Sequence, residues 1–180
     1  MPIFTNGVFP ADGEQGDGGG IIQIKQTVWT GAGQFNPGNN VATDESDITN
    51  LDCLITPRDS SNKILVIYRL NISISGTTGG SRLKRSINNG SYSELCLGDA
   101  RSNRSRTTSG VSVYQGAWRN NEIVHFLDSP NTTSSIRYRI GFNTHDGRTF
   151  SVNRSQTDTD NAELDNETAT SSLTLMEISS

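Results

Sequence analysis

Hydrophobic and polar positions alternate along this chain, most clearly between Lys63 and Ser75. One set of alternate positions in this segment is entirely apolar, whereas the other set changes from apolar to polar midway. Successive side chains of a β-strand point to opposite faces, so the pattern predicts a strand with one face in a core. A helix would need apolar residues spaced by three and four, and that spacing is absent. The apolar set comprises Ile64, Val66, Tyr68, Leu70, Ile72 and Ile74.

The same alternation recurs elsewhere and predicts an all-β fold. Segments 21–29 and 135–144 show it, and the second directs four large apolar side chains inward: Ile136, Tyr138, Ile140 and Phe142. A further strand, 149–153, follows the pair Asp146-Gly147, which is typical of hairpin turns. The other predicted strands are 51–56, 81–87, 111–118, 122–127 and 171–178. About nine short strands and no helix favour an antiparallel β-sandwich, of the jelly-roll kind.

The first 20 residues differ from the rest and predict an N-terminal arm. Residues 16–20 read Gly-Asp-Gly-Gly-Gly, a flexible hinge by composition. Four apolar side chains precede this hinge: Ile3, Phe4, Val8 and Phe9. The arm either docks on another subunit or larger assembly, or folds back on its own domain. The glycine run favours docking elsewhere, so we divide the chain into an anchoring arm, 1–20, and a β-sandwich domain, 21–180.

Composition supports this organisation and excludes several classes of protein. Ser, Thr, Asn and Gly fill 76 of the 180 positions, a mixture that disfavours helices. No apolar run approaches the ~18 residues of a membrane helix, and the N-terminus lacks the pattern of a signal peptide. The net charge is −4 with 15 basic residues, which gives no electrostatic basis for general nucleic-acid binding. We therefore expect neither membrane insertion nor a nucleic-acid partner.

Two cysteines, Cys53 and Cys96, are too few for a disulfide framework. A bridge between them stays open on the sequence alone. We favour two buried thiols, because a free cysteine behaves as a small hydrophobic residue.

Enzymatic chemistry finds little support in the sequence. The chain has no Gly-x-Ser-x-Gly elbow and no phosphate-binding glycine loop, and its two histidines read as a strand residue, His125, and a turn residue, His145. One acidic segment offers oxygen ligands for Ca²⁺ but lacks the EF-hand register, so a solvated loop is favoured. Its acidic residues are Asp158, Asp160, Glu163, Asp165 and Glu167. We expect no catalytic residue, no metal and no cofactor.

The best candidates for contacts with other molecules lie in a basic loop. Arg101, Arg104 and Arg106 present planar guanidinium groups suited to carboxylates and phosphates. They could bind anionic sugars of a cell envelope, pair with the acidic segment of a neighbouring subunit, or simply be solvated. Aromatic residues that could stack on sugars, or belong to the core or an interface, are Trp29, Tyr92, Tyr114 and Trp118. Of these, Trp118 joins the arginines as a candidate receptor or inter-subunit contact.

Four segments together resemble a domain of tailed-phage structural proteins. They are GGGIIQIKQTV at 18–28, ITPRDSSNKILV at 55–66, LGDARSNR at 97–104 and LTLMEI at 173–178. Their order over residues 18–180 is similar to a cyanophage-type tail-fibre or virion-decoration domain. That resemblance implies a β-sandwich carried on the virion, often trimeric, and it brings no established active site. Long fibres have an extended shaft before such a domain, whereas this chain has a 20-residue arm.

These observations lead to one functional hypothesis and one alternative. We expect a short tail-fibre subunit of a phage virion, assembled in the host cytoplasm and acting as a homotrimer. Its arm would attach to a tail or baseplate protein, and its domain would contact a host surface polysaccharide. The alternative is a capsid decoration or cement protein. A polysaccharide-degrading tailspike is disfavoured, because no catalytic constellation emerges.

Overall fold

A computed structural model describes residues 19–38, 45–76, 78–112, 119–160, 162 and 166–180. Two short 3₁₀ helices, Thr49–Leu51 and His145–Gly147, are the helical turns of this part of the chain. Everything else that is regular within it is β-strand. The strands are β1 (Ile21–Trp29), β2 (Gly33–Phe35), β3 (Ser46–Asp47), β4 (Cys53–Ile55), β5 (Lys63–Ile74), β6 (Thr78–Ile87), β7 (Ser93–Leu95), β8 (Ser109–Ser112), β9 (Arg119–Asp128), β10 (Ile136–Thr144), β11 (Phe150–Val152) and β12 (Ser171–Ile178).

These strands form two antiparallel sheets, each built from four rows. In sheet A, β5 pairs with β9 on one side and with β11 and β12 on the other, and β2 and β1 continue beyond those two strands. In sheet B, β10 lies between β6 and the pair β3 and β4, and β7 and β8 flank β6. Numbered along the chain, the eight rows are β1 with β2, β3 with β4, β5, β6, β7 with β8, β9, β10, and β11 with β12. In these numbers the order of rows is 1-8-3-6 in sheet A and 2-7-4-5 in sheet B. This order is a jelly roll, so the predicted fold class is confirmed.

The core lies between the two sheets and follows the predicted alternation. All six apolar side chains of the β5 set, from Ile64 to Ile74, are buried with no exposed surface, and so are the four on β10. At one end of the sandwich an aromatic column crosses from sheet A to sheet B. The ring of Phe150 stacks on Phe35 at 5.0 Å between centroids and meets Phe142 of sheet B at 4.9 Å. Gly79 leaves room for this column, because a Cβ there would lie 2.6 Å from the Phe142 ring.

Buried polar clusters tie the edge strand β9 to sheet B. Near the end of β9, Asp128 accepts hydrogen bonds from Arg85 Nη1 at 2.7 Å and from the Tyr138 hydroxyl at 2.6 Å. Near its start, Glu122 Oε1 accepts from Ser81 Oγ at 2.7 Å, and Ser81 also bonds to a tyrosine hydroxyl of β5. Arg85 and Ser81 belong to β6 and Tyr138 belongs to β10. These contacts close the sandwich along the β9 side.

Several sequence predictions are corrected by the structure. The described residues contain twelve strands where about nine were expected, because β2, β3 and β7 span only two or three residues each. The Asp146-Gly147 hairpin is wrong, since β10 lies in sheet B and β11 in sheet A. The connection between them crosses the sandwich through a 3₁₀ turn, with Gly147 at φ 62°. Both cysteines are free, but only Cys53 is buried, whereas Cys96 is exposed.

Glu122 gives the first testable prediction, because its burial carries an electrostatic cost. Burial raises the pKa of this carboxyl, and its Oε2 has no hydrogen-bond partner among the described residues. Between the unfolded and the folded pKa, the folded state keeps a proton that the unfolded chain has lost. The free energy of unfolding therefore falls as pH rises through that window. Glu122→Gln should raise the free energy of unfolding at pH 8, by roughly 1–2 kcal/mol, and change it little at pH 4.

Urea denaturation at the two pH values measures this difference, and Glu177 provides a matched control. Glu177 also has almost no exposed surface, but its carboxylate accepts hydrogen bonds from Gln23, Asn62 and the Arg58 amide. Although burial alone would raise the pKa of Glu177, these bonds lower it. Glu177→Gln should therefore destabilise the fold at pH 8. A Glu122→Gln protein that is less stable than the wild type at pH 8 would contradict the prediction.

Candidate functional site

The outer face of sheet B is strongly charged, because strand alternation places four of its basic residues there. Leu83 points into the core, so its neighbours Arg82 and Lys84 point outward on β6. On the adjacent β10, Arg137 and Arg139 alternate with buried Ile136, Tyr138 and Ile140. In the strand register, Lys84 lies directly opposite Arg139. Four cations therefore share one face.

Most of this charge is neutralised within the domain. Lys84 Nζ donates to Glu45 at 2.6 Å and to Asp47. The Arg139 guanidinium forms a bidentate pair with Asp52, at 2.6 and 2.5 Å, and also reaches Asp47 at 2.8 Å. Burial alone would lower the pKa of Lys84, but its two carboxylate partners raise it. This part of the face is an ion-pair network within one domain.

Tyr92 covers the network. Its ring centroid lies 4.7 Å from the Arg139 guanidinium carbon and 5.8 Å from Lys84 Nζ, which are cation–π distances. Tyr92, which the sequence offered as a possible sugar platform, therefore contacts side chains of its own domain.

Next to this network, Arg82 holds the basic loop between β7 and β8 against sheet B. Its Nε donates to the Arg106 carbonyl at 3.1 Å, and its Nη2 donates to Ser105 Oγ at 3.2 Å. Its Nη1 donates to Glu94 Oε1 at 3.3 Å. Only 5% of Arg82 is exposed, so this guanidinium works as a buried clamp on the loop.

The clamp and the loop line a small, open pocket, which we call the arginine pocket. Its volume is about 240 Å³, and three of its six lining residues are arginines. Arg106 is oriented by a 2.6 Å hydrogen bond from its Nε to the Gly98 carbonyl. The Arg104 guanidinium has no hydrogen-bond or ion-pair partner among the described residues. The lining residues are Arg82, Glu94, Leu97, Arg104, Ser105 and Arg106.

This arrangement suits the binding of an anion. Guanidinium groups present paired N–H donors that match a carboxylate or phosphate in the plane of the fork. The lining contains three guanidinium groups and one carboxylate, so the formal charge of its side chains is positive. Because the chain as a whole is acidic, this positive charge is a local feature.

The outer face of sheet A is different, because a line of apolar side chains crosses four of its six strands, β1, β12, β5 and β9. Ile24 lies opposite Met176, Met176 opposite Leu65, and Leu65 opposite Leu127. Ile24 and Leu127, at the two ends of the line, are 54% and 47% exposed. Ile21 and Ile178 extend the line toward the N-terminal end of β1. We call these residues the apolar face: Ile21, Ile24, Leu65, Leu127, Met176 and Ile178.

The structure brings together some of the predicted site residues and separates others. Arg104 and Arg106 line the arginine pocket, whereas Arg101 is exposed and outside its lining. Trp29 packs on the core, with its ring 6.2 Å from Phe35. The predicted arm residues Ile3, Phe4, Val8 and Phe9, and the predicted contact Trp118, lie outside the described residues.

Two residues of the acidic segment pair within the domain. Asp158 forms an ion pair with Arg154, and Glu167 forms one with Arg119. Asp160 is exposed, whereas Glu163 and Asp165 lie outside the described residues. In the described part of the chain, no group of three metal-ligating side chains comes together, and no helix is long and apolar enough to cross a membrane. Because the ion pairs of Asp158 and Glu167 lie within one chain, these two carboxylates need no neighbouring subunit to pair with.

Sequence reasoning missed two residues that build the site. Arg82 was placed in a predicted strand and assigned no role, although its alternation with Leu83 already directed it outward. Glu94 had no signal, because nothing local in the sequence brings β7 beside Arg82. The register of β6 and β7 does so, by pairing Leu83 with Leu95.

Comparisons with known proteins give a fold-level likeness and no family. No family model matches the chain, and no curated protein matches it. Among solved structures it is similar to Eiger TNF from S. frugiperda, with 10% identity and a TM-score of 0.46. The match covers 87% of this chain and 91% of that one. A likeness of this size assigns no function.

The Arg82 clamp gives a prediction about the stability of the loop. Arg82→Met removes the hydrogen bonds of Arg82 to the Arg106 carbonyl, to Ser105 and to Glu94, so the loop should open more often. We expect trypsin to cleave after Arg101, Arg104 and Arg106 at least about fivefold faster, since cleavage follows the open population. Mass spectrometry of a limited digest measures this rate. Arg69→Met, on the opposite sheet, is the control and should leave it unchanged; equal rates in both variants would contradict the clamp.

Proposed function

We propose that this chain is a phage virion structural protein, a short tail-fibre subunit that attaches the particle to a host surface. Two observations support the proposal. Four segments resemble tailed-phage structural proteins, and the two outer faces of the jelly roll differ in surface chemistry. Sheet A carries the apolar face, which suits assembly, and sheet B carries the arginine pocket, which suits recognition. The observation that carries the proposal is this placement of the two surfaces on opposite sheets.

We propose a homotrimer in which the apolar face of each copy is covered by a neighbouring copy. The contrast with sheet B supports this, because the outward charges of sheet B are paired whereas the line of apolar side chains on sheet A is left to water. The line also ends at two strands, β1 and β9, whose far edges pair with no described strand. Apolar side chains beside an open strand edge favour contact with another chain. Closed symmetry lets weak contacts of several copies act together.

The arm, residues 1–20, is proposed as the anchor to a tail or baseplate protein. Its last residues enter the domain beside the apolar face, where Gly20 accepts a 3.0 Å hydrogen bond from the Ser179 amide. Four apolar side chains in such a segment favour a groove on another protein.

Oligomer mass tests the role of the apolar face. By light scattering at micromolar concentration, the wild-type protein should have three times the 19.5 kDa mass of one chain. Leu127→Asp places a charge on the apolar face and should give folded monomers, as judged by an unchanged circular dichroism spectrum. Leu54→Asp is the matched control, because Leu54 is 43% exposed on sheet B. A monomeric wild type, or a trimeric Leu127→Asp, would contradict the proposal.

Particle incorporation tests the arm. Deletion of residues 1–15 should remove the protein from purified particles. The purified shortened protein should keep its fold and its trimeric state. Labelled antibodies viewed by electron microscopy should place the wild-type protein on the tail. Label on the capsid shell would replace the tail-fibre assignment with a capsid decoration role. Full occupancy of the shortened protein in particles would overturn the anchoring role.

A further inference from the structure

We propose that the arginine pocket binds one acidic sugar residue, a monosaccharide unit that carries a carboxylate or a phosphate. This inference deepens the proposed attachment function and rests on it. It assigns the class of ligand from the pocket's own residues.

The guanidinium groups of the pocket differ in how many of their donors are already used. The Arg106 Nε bond to the Gly98 carbonyl fixes the direction of that side chain at the pocket wall. Arg82 already donates hydrogen bonds to the Arg106 carbonyl and to Glu94. The Arg104 guanidinium has no hydrogen-bond or ion-pair partner among the described residues. An anion entering the pocket therefore meets one guanidinium whose donors are all available within the described structure. Charge-assisted hydrogen bonds of this kind are about twice as strong as neutral ones.

The rest of the lining favours a sugar over a bare inorganic ion. The Glu94 carboxylate is 38% exposed and lies at the same wall, where it would repel a small anion but accept hydrogen bonds from sugar hydroxyls. Ser105 adds a hydroxyl, and Leu97 adds an apolar surface for the carbon side of a ring. Donors, an acceptor and an apolar wall together match a polyhydroxylated ring with one acidic group.

The small size of the pocket suits direct contact with one sugar residue. Its volume of about 240 Å³ is below the roughly 300–1,000 Å³ typical of sites that enclose a drug-sized molecule. A single sugar unit, as a branch or a chain end, would fill it. Affinity for one unit should be weak, with a Kd on the order of 1 mM. Three copies on one trimer would then supply avidity.

The experiment is a chemical-shift titration of the full ¹⁵N-labelled chain with four probes. Glucuronate and glucose 6-phosphate represent the two acidic groups, glucose is the neutral control, and inorganic phosphate is the bare anion. We expect amide shifts in residues 94–108 with at least one acidic sugar and none with glucose; which acidic sugar binds more tightly identifies the group. Shifts that are equal for glucose and glucuronate would overturn the proposal. Equal affinity for inorganic phosphate would also overturn it, as an adventitious ion only.

Variants separate the pocket from the general charge of the loop. Arg104→Gln should weaken binding of the preferred acidic sugar about tenfold. Arg101→Gln, three residues away but outside the lining, should change it less than twofold. Equal losses in both variants would mean that loop charge alone attracts the sugar, and would overturn the pocket.

The same variants separate this inference from the proposed function. Particles that carry Arg104→Gln should contain the protein at wild-type occupancy but adsorb less to host cells, whereas Arg101→Gln particles should adsorb normally. Absence of the wild-type protein from particles would defeat the attachment function and leave the sugar titration to stand as measured. Normal adsorption of Arg104→Gln particles would overturn the pocket as the attachment site.

Discussion

The two-residue period of the strands is the constraint on which both candidate surfaces depend. Burial of Ile64 and Val66 between the sheets forces Leu65 onto the outer face of sheet A. Burial of Leu83 in the same core forces Arg82 and Lys84 onto the outer face of sheet B. A shift of one residue in either register would exchange core and surface, and no such shift could leave the core apolar. The apolar face and the arginine clamp are therefore fixed by the same core.

The parts of the fold that long alternating segments govern could be predicted from the sequence. β5 and β10 carry regular patterns over nine or more residues, and their inward faces were identified residue by residue. The Asp146-Gly147 pair led to a wrong hairpin prediction, because such a pair indicates only where the backbone can turn. Here the turn connects a strand of sheet B to a strand of sheet A. Strands of two or three residues, such as β3, give no period to read. Their pairing depends on the length of neighbouring strands, which local sequence does not contain.

The candidate site could be predicted only in part, for a similar reason. Arg104 and Arg106 stood out as charges in a loop, where side chains are exposed by default. Arg82 gained its role from contacts between residues 12 to 24 positions apart, so no local pattern marked it. Cys96 was expected to be buried on the general preference of free cysteines, but it is exposed beside that same loop, just after β7. Long-range packing decided these positions.

The outer face of sheet B has paired charges, whereas the outer face of sheet A has exposed apolar side chains. This difference determines which face can be buried in an oligomer at lower cost. On sheet B, Arg139 and Lys84 are paired with carboxylates of their own chain, so burial of that face against another copy would have to desolvate charges that are already paired. On sheet A, burial of Ile24 and Leu127 removes only apolar surface from water, which is favourable. Association through sheet A therefore leaves sheet B outward. The recognition proposed for the arginine pocket and the assembly proposed for the apolar face would then use different surfaces of the domain.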